Sequence, residues 1–121
     1  MDTEVVLGEL SIAPKVFESI VKIAAEEVDG VACVGIPTSM NSMLMSFLSE
    51  KSPLQVPPVG VRGSQEDGLE VAVRLTVFFG YPFMSLADSV RQAVAASVEG
   101  LVGIEVRSVD VFIDALVFPK E

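Results

Sequence analysis

Apolar and polar positions alternate most regularly between residues 69 and 79. Val71, Val73, Leu75, Val77 and Phe79 interleave with Glu70, Ala72, Arg74, Thr76 and Phe78. Side chains on a strand point to opposite faces with period two, so this stretch predicts a long strand with one fully apolar face. Such a strand belongs to a sheet covered on one side. Gly80 ends it, and Pro82 fits the first turn of a helix, where its missing N–H costs nothing. Phe83, Leu86, Val90, Ala93, Val94, Ser97, Val98 and Leu101 recur at three- and four-residue spacing, one apolar helical stripe. Gly100 and Gly103 offer the left-handed conformation that terminates helices. A last strand follows, with Val109, Val111, Ile113, Ala115 and Val117 on one face. Ile104 and Val106 have the opposite parity, which predicts a bulge or break near Arg107–Ser108.

The first half reads similarly. Val5 to Ala13 alternates as a strand, and Pro14 opens a helix whose stripe is Val16, Phe17, Ile20, Ile23, Ala24, Glu27 and Val28. Glu18 and Lys22 are four apart, in the favourable order for a helical ion pair. Gly30 breaks the helix, and Val31 to Gly35 is a short strand. Val59 to Arg62 and the long strand, joined by the turn Gly63 to Gly68, make a hairpin. The turn Glu27-Val28-Asp29-Gly30-Val31 is echoed by Ser97-Val98-Glu99-Gly100-Leu101. The expectation is an α+β fold: an open, mostly antiparallel sheet with two main helices on one face, built from two similar strand-helix-strand halves.

Between the halves the pattern fails. Residues 36–58 form a variable excursion, with Met40, Met43, Leu44, Met45, Phe47 and Leu48 in one short run, and Pro53, Pro57 and Pro58 after it. The run suits a short helix, packed on the sheet edge or free for a partner. At 121 residues, half of them hydrophobic, the chain is expected to be one domain, 1–121, with a single core. No apolar run approaches the roughly 18 residues of a spanning helix. Asp2 and Glu4 are unlike the basic start of a secretory leader, and the single cysteine suits a reducing compartment, so a cytoplasmic location is expected. A net charge of -9 disfavours nucleic acid and anionic lipid as partners.

Candidate chemistry is sparse. Without histidine there is no imidazole base, triad or metal ligand of that type. Gly60-Val61-Arg62-Gly63 lacks the spacing and the lysine of a phosphate loop. Cys33 falls in a predicted strand, as a buried, inert thiol. Glu26, Glu27 and Asp29, and likewise Glu66, Asp67 and Glu70, lack the spacing of a calcium loop and read as solvated turns. Tyr81 is expected to anchor its turn through the hydroxyl. No enzyme activity, cofactor or metal is therefore expected. Alternation turns Phe78, Phe112, Leu116 and Phe118 away from the helices as one apolar patch beside Arg74, which predicts an interaction surface. Met43 and Met45 are a second candidate surface.

Several runs resemble a known family. They are Gly8-Glu9-Leu10-Ser11-Ile12-Ala13-Pro14, Ala24-Ala25-Glu26-Glu27-Val28-Asp29-Gly30-Val31, Phe79-Gly80-Tyr81-Pro82, Val90-Arg91-Gln92-Ala93-Val94, Val98-Glu99-Gly100-Leu101-Val102-Gly103, and Val106 to Phe118. Together they are similar to the alkaline shock protein / envelope stress response family of bacteria. That family's helix carries a valine–glutamine spacing and ends in a glutamate-bearing turn, and its last strand alternates valines. The resemblance implies a non-enzymatic envelope stress protein that self-associates as a homo-oligomer and binds a membrane-anchored partner, without inserting into the membrane itself. A small-molecule-sensing or regulatory α+β domain is the alternative, since two α/β halves can hold a ligand between elements.

Overall fold

The computed structural model describes residues 5–7, 10–36 and 57–118. Its elements, in order, are β1 (Val5–Leu7), β2 (Leu10–Ile12), α1 (Pro14–Glu26), β3 (Val31–Val34), β4 (Val59–Ser64), β5 (Gly68–Phe78), α2 (Phe83–Val102) and β6 (Val106–Val117). The Met40–Leu48 segment lies outside the described residues.

β5 is the spine, and its apolar alternation is the reason. Leu69, Val71, Val73, Leu75 and Val77 are all buried on one face. Along one edge β3 and β4 pair with it antiparallel, end to end, β4 beside residues 68–73 and β3 beside residues 75–77. Arg74 bridges the gap: its N–H donates to Pro58 O and its carbonyl accepts from Gly35 N–H, both at 2.8 Å. Along the other edge β6 pairs parallel to β5. Parallel neighbours need a crossover, and α2 supplies it. Three of the four strand pairings are antiparallel, as expected.

Both helices cover the same sheet face. Phe17, Val21, Ala24 and Ala25 of α1 and Leu86, Val90, Val94 and Val98 of α2 join the odd-numbered residues of β5 in one core. Fully burying each such Val, Leu or Phe stabilises by roughly 1.5–3 kcal/mol. Thr76 is the one buried polar residue among those described, and its Oγ1 donates to Gly35 O at 2.6 Å.

Several expectations need correction. The stretch 5–13 is two strands, not one: β1 and β2 pair antiparallel with Val5 opposite Ile12 and Leu7 opposite Leu10. Alternation survives a reversal of this kind, so it could not reveal one; the Gly8-Glu9 dipeptide was the available signal. The apolar stripe of α1 is rotated, with Val21 and Ala25 inward, Val16 exposed and Ile23 62% exposed. On α2, Phe83 and Leu101 are exposed because they lie in its first and last turns, at the ends of the stripe. Pro82 is the residue before α2 rather than in its first turn, and Gly103 (φ 86°), not Gly100, ends it. The α1 ion pair is Lys22–Glu26 at 3.2 Å, not Glu18–Lys22.

The two halves do share a device. Glu26 Oε2 accepts the N–H of Val34, and Glu99 Oε2 accepts the N–H of Val106, each at 2.9 Å. In both, a carboxylate near the helix C-terminus holds the strand that follows. The halves differ in how they join the sheet, β3 antiparallel to β5 and β6 parallel.

Candidate interaction surfaces

The face of the sheet turned away from the helices is built from the even-numbered residues of β5 and their neighbours. Arg74 Nη1 lies 3.1 Å from both Asp114 oxygens, and its guanidinium carbon is 4.4 Å from the Phe112 ring centre. Cation and ring attract through the ring quadrupole. Glu70 lies between two arginines, 2.9 Å from Arg62 and 3.7 Å from Arg107. Asp110, paired with Ala72, points to the same face. Three arginines and three carboxylates thus share this face, which is close to neutral. The helices and the turns after them (residues 14–30 and 83–105) carry three basic and seven acidic residues. The helical side is therefore acidic, with a net -4 against a near-neutral sheet face.

β6 contains two register slips against β5. One falls at Arg107, between the pairs Leu69–Val106 and Glu70–Ser108, where opposing parity predicts it. The second falls at Asp114, between Leu75–Ile113 and Thr76–Ala115. A slip of one residue turns later side chains to the other face. Leu116 is thereby set beside Val77 rather than beside Phe78, and Phe118 stacks on Phe79 with centroids 4.9 Å apart.

This corrects the single patch expected of Phe78, Phe112, Leu116 and Phe118. Phe112 (41% exposed) shares the outer face with Arg74, and Phe78 is half-buried. Leu116 (39% exposed) and Phe118 (70% exposed) belong instead to a rim at the ends of β5 and β6. Phe79, Tyr81, Phe83 and Met84, all exposed, continue that rim through the connection into α2. Sequence reasoning did not place these four on a surface: Phe79 fits the strand alternation, Phe83 the helical stripe, Tyr81 reads as a turn anchor, and Met84 falls outside the stripe. The available signal was the density of aromatics at 78–84. Met43 and Met45 lie outside the described residues.

Tyr81 holds its turn through its ring. A Cβ at Gly30 would lie 2.9 Å from that ring, and among the described residues the hydroxyl has no partner. Cys33 is half-buried, and its Sγ–H donates to Gly35 O at 3.8 Å. Burial pushes the Cys33 thiol up, against a weaker opposing pull from the neighbouring Thr76 hydroxyl. Glu26 is engaged by Lys22 and Val34, and Glu70 by two arginines. No described helix is long and apolar enough to cross a membrane.

Fold and surface together define a two-layer α+β domain with an acidic helical side, a neutral sheet face and an exposed aromatic rim. A model of the alkaline shock protein family, described as having a cell envelope-related function, matches residues 2–118, and the chain belongs to that family. The resemblance to the alkaline shock protein / envelope stress response family is borne out. The chain is 28% identical over 113 residues to the uncharacterized protein YqhY of Bacillus subtilis (strain 168), covering 93% of this chain and 79% of that one. Among solved structures, a histidine variant of MamM-CTD matches with TM-score 0.48 at 18% identity, covering 84% of this chain and 96% of that one. A doubly substituted MamM-CTD matches with TM-score 0.47 at 20% identity, covering 84% and 92%.

Proposed function

We propose that the protein serves the cell envelope as a non-catalytic assembly module. Copies associate with one another, and the aromatic rim binds a membrane-anchored partner at the cytoplasmic side. The observation that carries this reading is the rim itself, with the Phe79–Phe118 stack lying exposed at one end of the sheet. Apolar surface left in water in this way marks an interaction site. Family membership supplies the envelope context. A net charge of -9 opposes direct adsorption to anionic lipid, which favours a protein as the anchor.

The test is cosedimentation with native envelope membranes, protease-stripped membranes and protein-free vesicles. Binding to native membranes alone, lost in the Phe79→Ser, Phe118→Ser double variant, is the expected result. Equal binding to protein-free vesicles would replace the partner with lipid. Light scattering over a wide concentration range tests the self-association, with growth in mass expected.

A further inference from the structure

The free edge of β6 has a definite hydrogen-bonding pattern. β6 pairs with β5 alone, and among the described residues no strand occupies its other edge. Successive residues of a strand turn their N–H and C=O to opposite edges. Arg74 turns its groups toward Pro58 and Gly35, so its β6 neighbour Phe112 must turn inward to β5. Val109, Val111 and Ile113 therefore turn their N–H and C=O outward. At the start of the strand Glu99 already takes the N–H of Val106. The slips at Arg107 and Asp114 bound an uninterrupted window, residues 108–113.

We propose that this window is where two copies of the chain join, β6 against β6 and antiparallel about Val111, into one continuous sheet. The pairing rests on the self-association proposed above and gives it a surface. A strand edge is satisfied by another strand edge, and a two-fold contact lets one edge serve both copies. Centred on Val111, the outward groups of Val109, Val111 and Ile113 meet the outward groups of Ile113, Val111 and Val109 of the second copy. Every one finds a partner. Moving the centre to Asp110 sets Asp110 against Asp110, and moving it to Phe112 sets Asp110 against Asp114. Like charges directly opposite are destabilising.

Charge also selects a second copy as the occupant. Among the described residues Asp110 has no ion pair. Centred on Val111, it comes opposite Phe112 of the second copy, the ring over which that copy's Arg74 lies. One guanidinium can then serve Asp114 of its own chain and Asp110 of the other. The two copies meet edge to edge, with their neutral outer faces continuous on one side of the joined sheet and both helical layers on the other.

Two variants test this by different means. Val111→Pro removes an outward N–H while leaving the β5 ladder intact, as proline is tolerated on an edge strand. It is expected to weaken dimerisation roughly tenfold or more, with the circular dichroism of the native fold. Val111→Cys, in a Cys33→Ser background, places two thiols face to face. Hydrogen-bonded antiparallel partners have Cα atoms about 5.5 Å apart, within the ~4.4–6.8 Å reach of a disulfide. Mild oxidation is expected to yield a cross-linked dimer, and Ser108→Cys in the same background is not. If the wild type associates while Val111→Cys stays uncross-linked, or while folded Val111→Pro associates as the wild type does, the pairing is overturned and self-association stands. A wild type that remains monomeric at every concentration overturns both.

Discussion

Gly30 has φ +103°, a backbone conformation that L side chains rarely adopt, and a Cβ there would lie 2.9 Å from the Tyr81 ring and 3.0 Å from Leu86 Cδ1. Strain and crowding act together, so Gly30→Ala is expected to cost roughly 1–3 kcal/mol, measured as a lowered denaturant midpoint with unchanged slope. Gly30 was legible in the sequence as a helix breaker; that it also makes room for an aromatic ring from the other half was not. Cys33 gives a second outcome at this scale. Burial favours the neutral thiol in the folded state. Alkylation is therefore expected to lag that of an exposed cysteine until the pH passes above the ordinary thiol range. Any stability owed to the neutral thiol is kept below that range and declines as pH rises through the folded value. A rate equal to that of a free thiol across the titration would show Cys33 to be open to solvent. Arg74→Ala removes a half-exposed ion pair and a ring contact, and a loss of about 1 kcal/mol is expected in urea titration.

Among the elements, the junctions carry the most specific contacts. Glu99 holds the first residue of β6 as Glu26 holds the last residue of β3. Glu99→Ala is expected to destabilise by about 0.5–1.5 kcal/mol, and to raise amide exchange at Val106 more than at Val109. Equal protection at Val106 in variant and wild type would assign that N–H another acceptor. The second slip in β6, at Asp114, is the feature that re-sorts the aromatic residues. Its effect was out of reach of the sequence because Val109, Val111, Ile113, Ala115 and Val117 run in unbroken alternation through it. A bulge is visible in a pattern only when parity changes, as it does across Arg107.

For the whole molecule, charge and edge act in opposite directions. A chain of net charge -9 repels its copies, while the open edge of β6 draws them together. Salt screens the repulsion over a Debye length of about 8–10 Å and leaves backbone hydrogen bonds largely unaffected. Self-association is accordingly expected to strengthen from low salt to about 0.3 M, as sedimentation or light scattering would show. Phe112→Asp, which places a second carboxylate opposite Asp110 in the proposed pairing, is expected to weaken it while leaving the fold intact.

By itself the sequence determined the α+β class, the long β5, the two helices on one face and the hairpin of β4 with β5. These follow from local periodicity, because burial of one face imposes period two on strands and about 3.6 on helices. It also carried the family resemblance and the first slip in β6. Only the tertiary structure decided which strands are neighbours, that β6 runs parallel to β5, and that β3 and β4 share one edge. It alone showed that Leu116 and Phe118 leave the face of Phe112 to join Phe79. Strand neighbours and slips within an unbroken alternation are set by hydrogen bonds between residues far apart in the chain, and side-chain polarity does not record which backbone groups those bonds join.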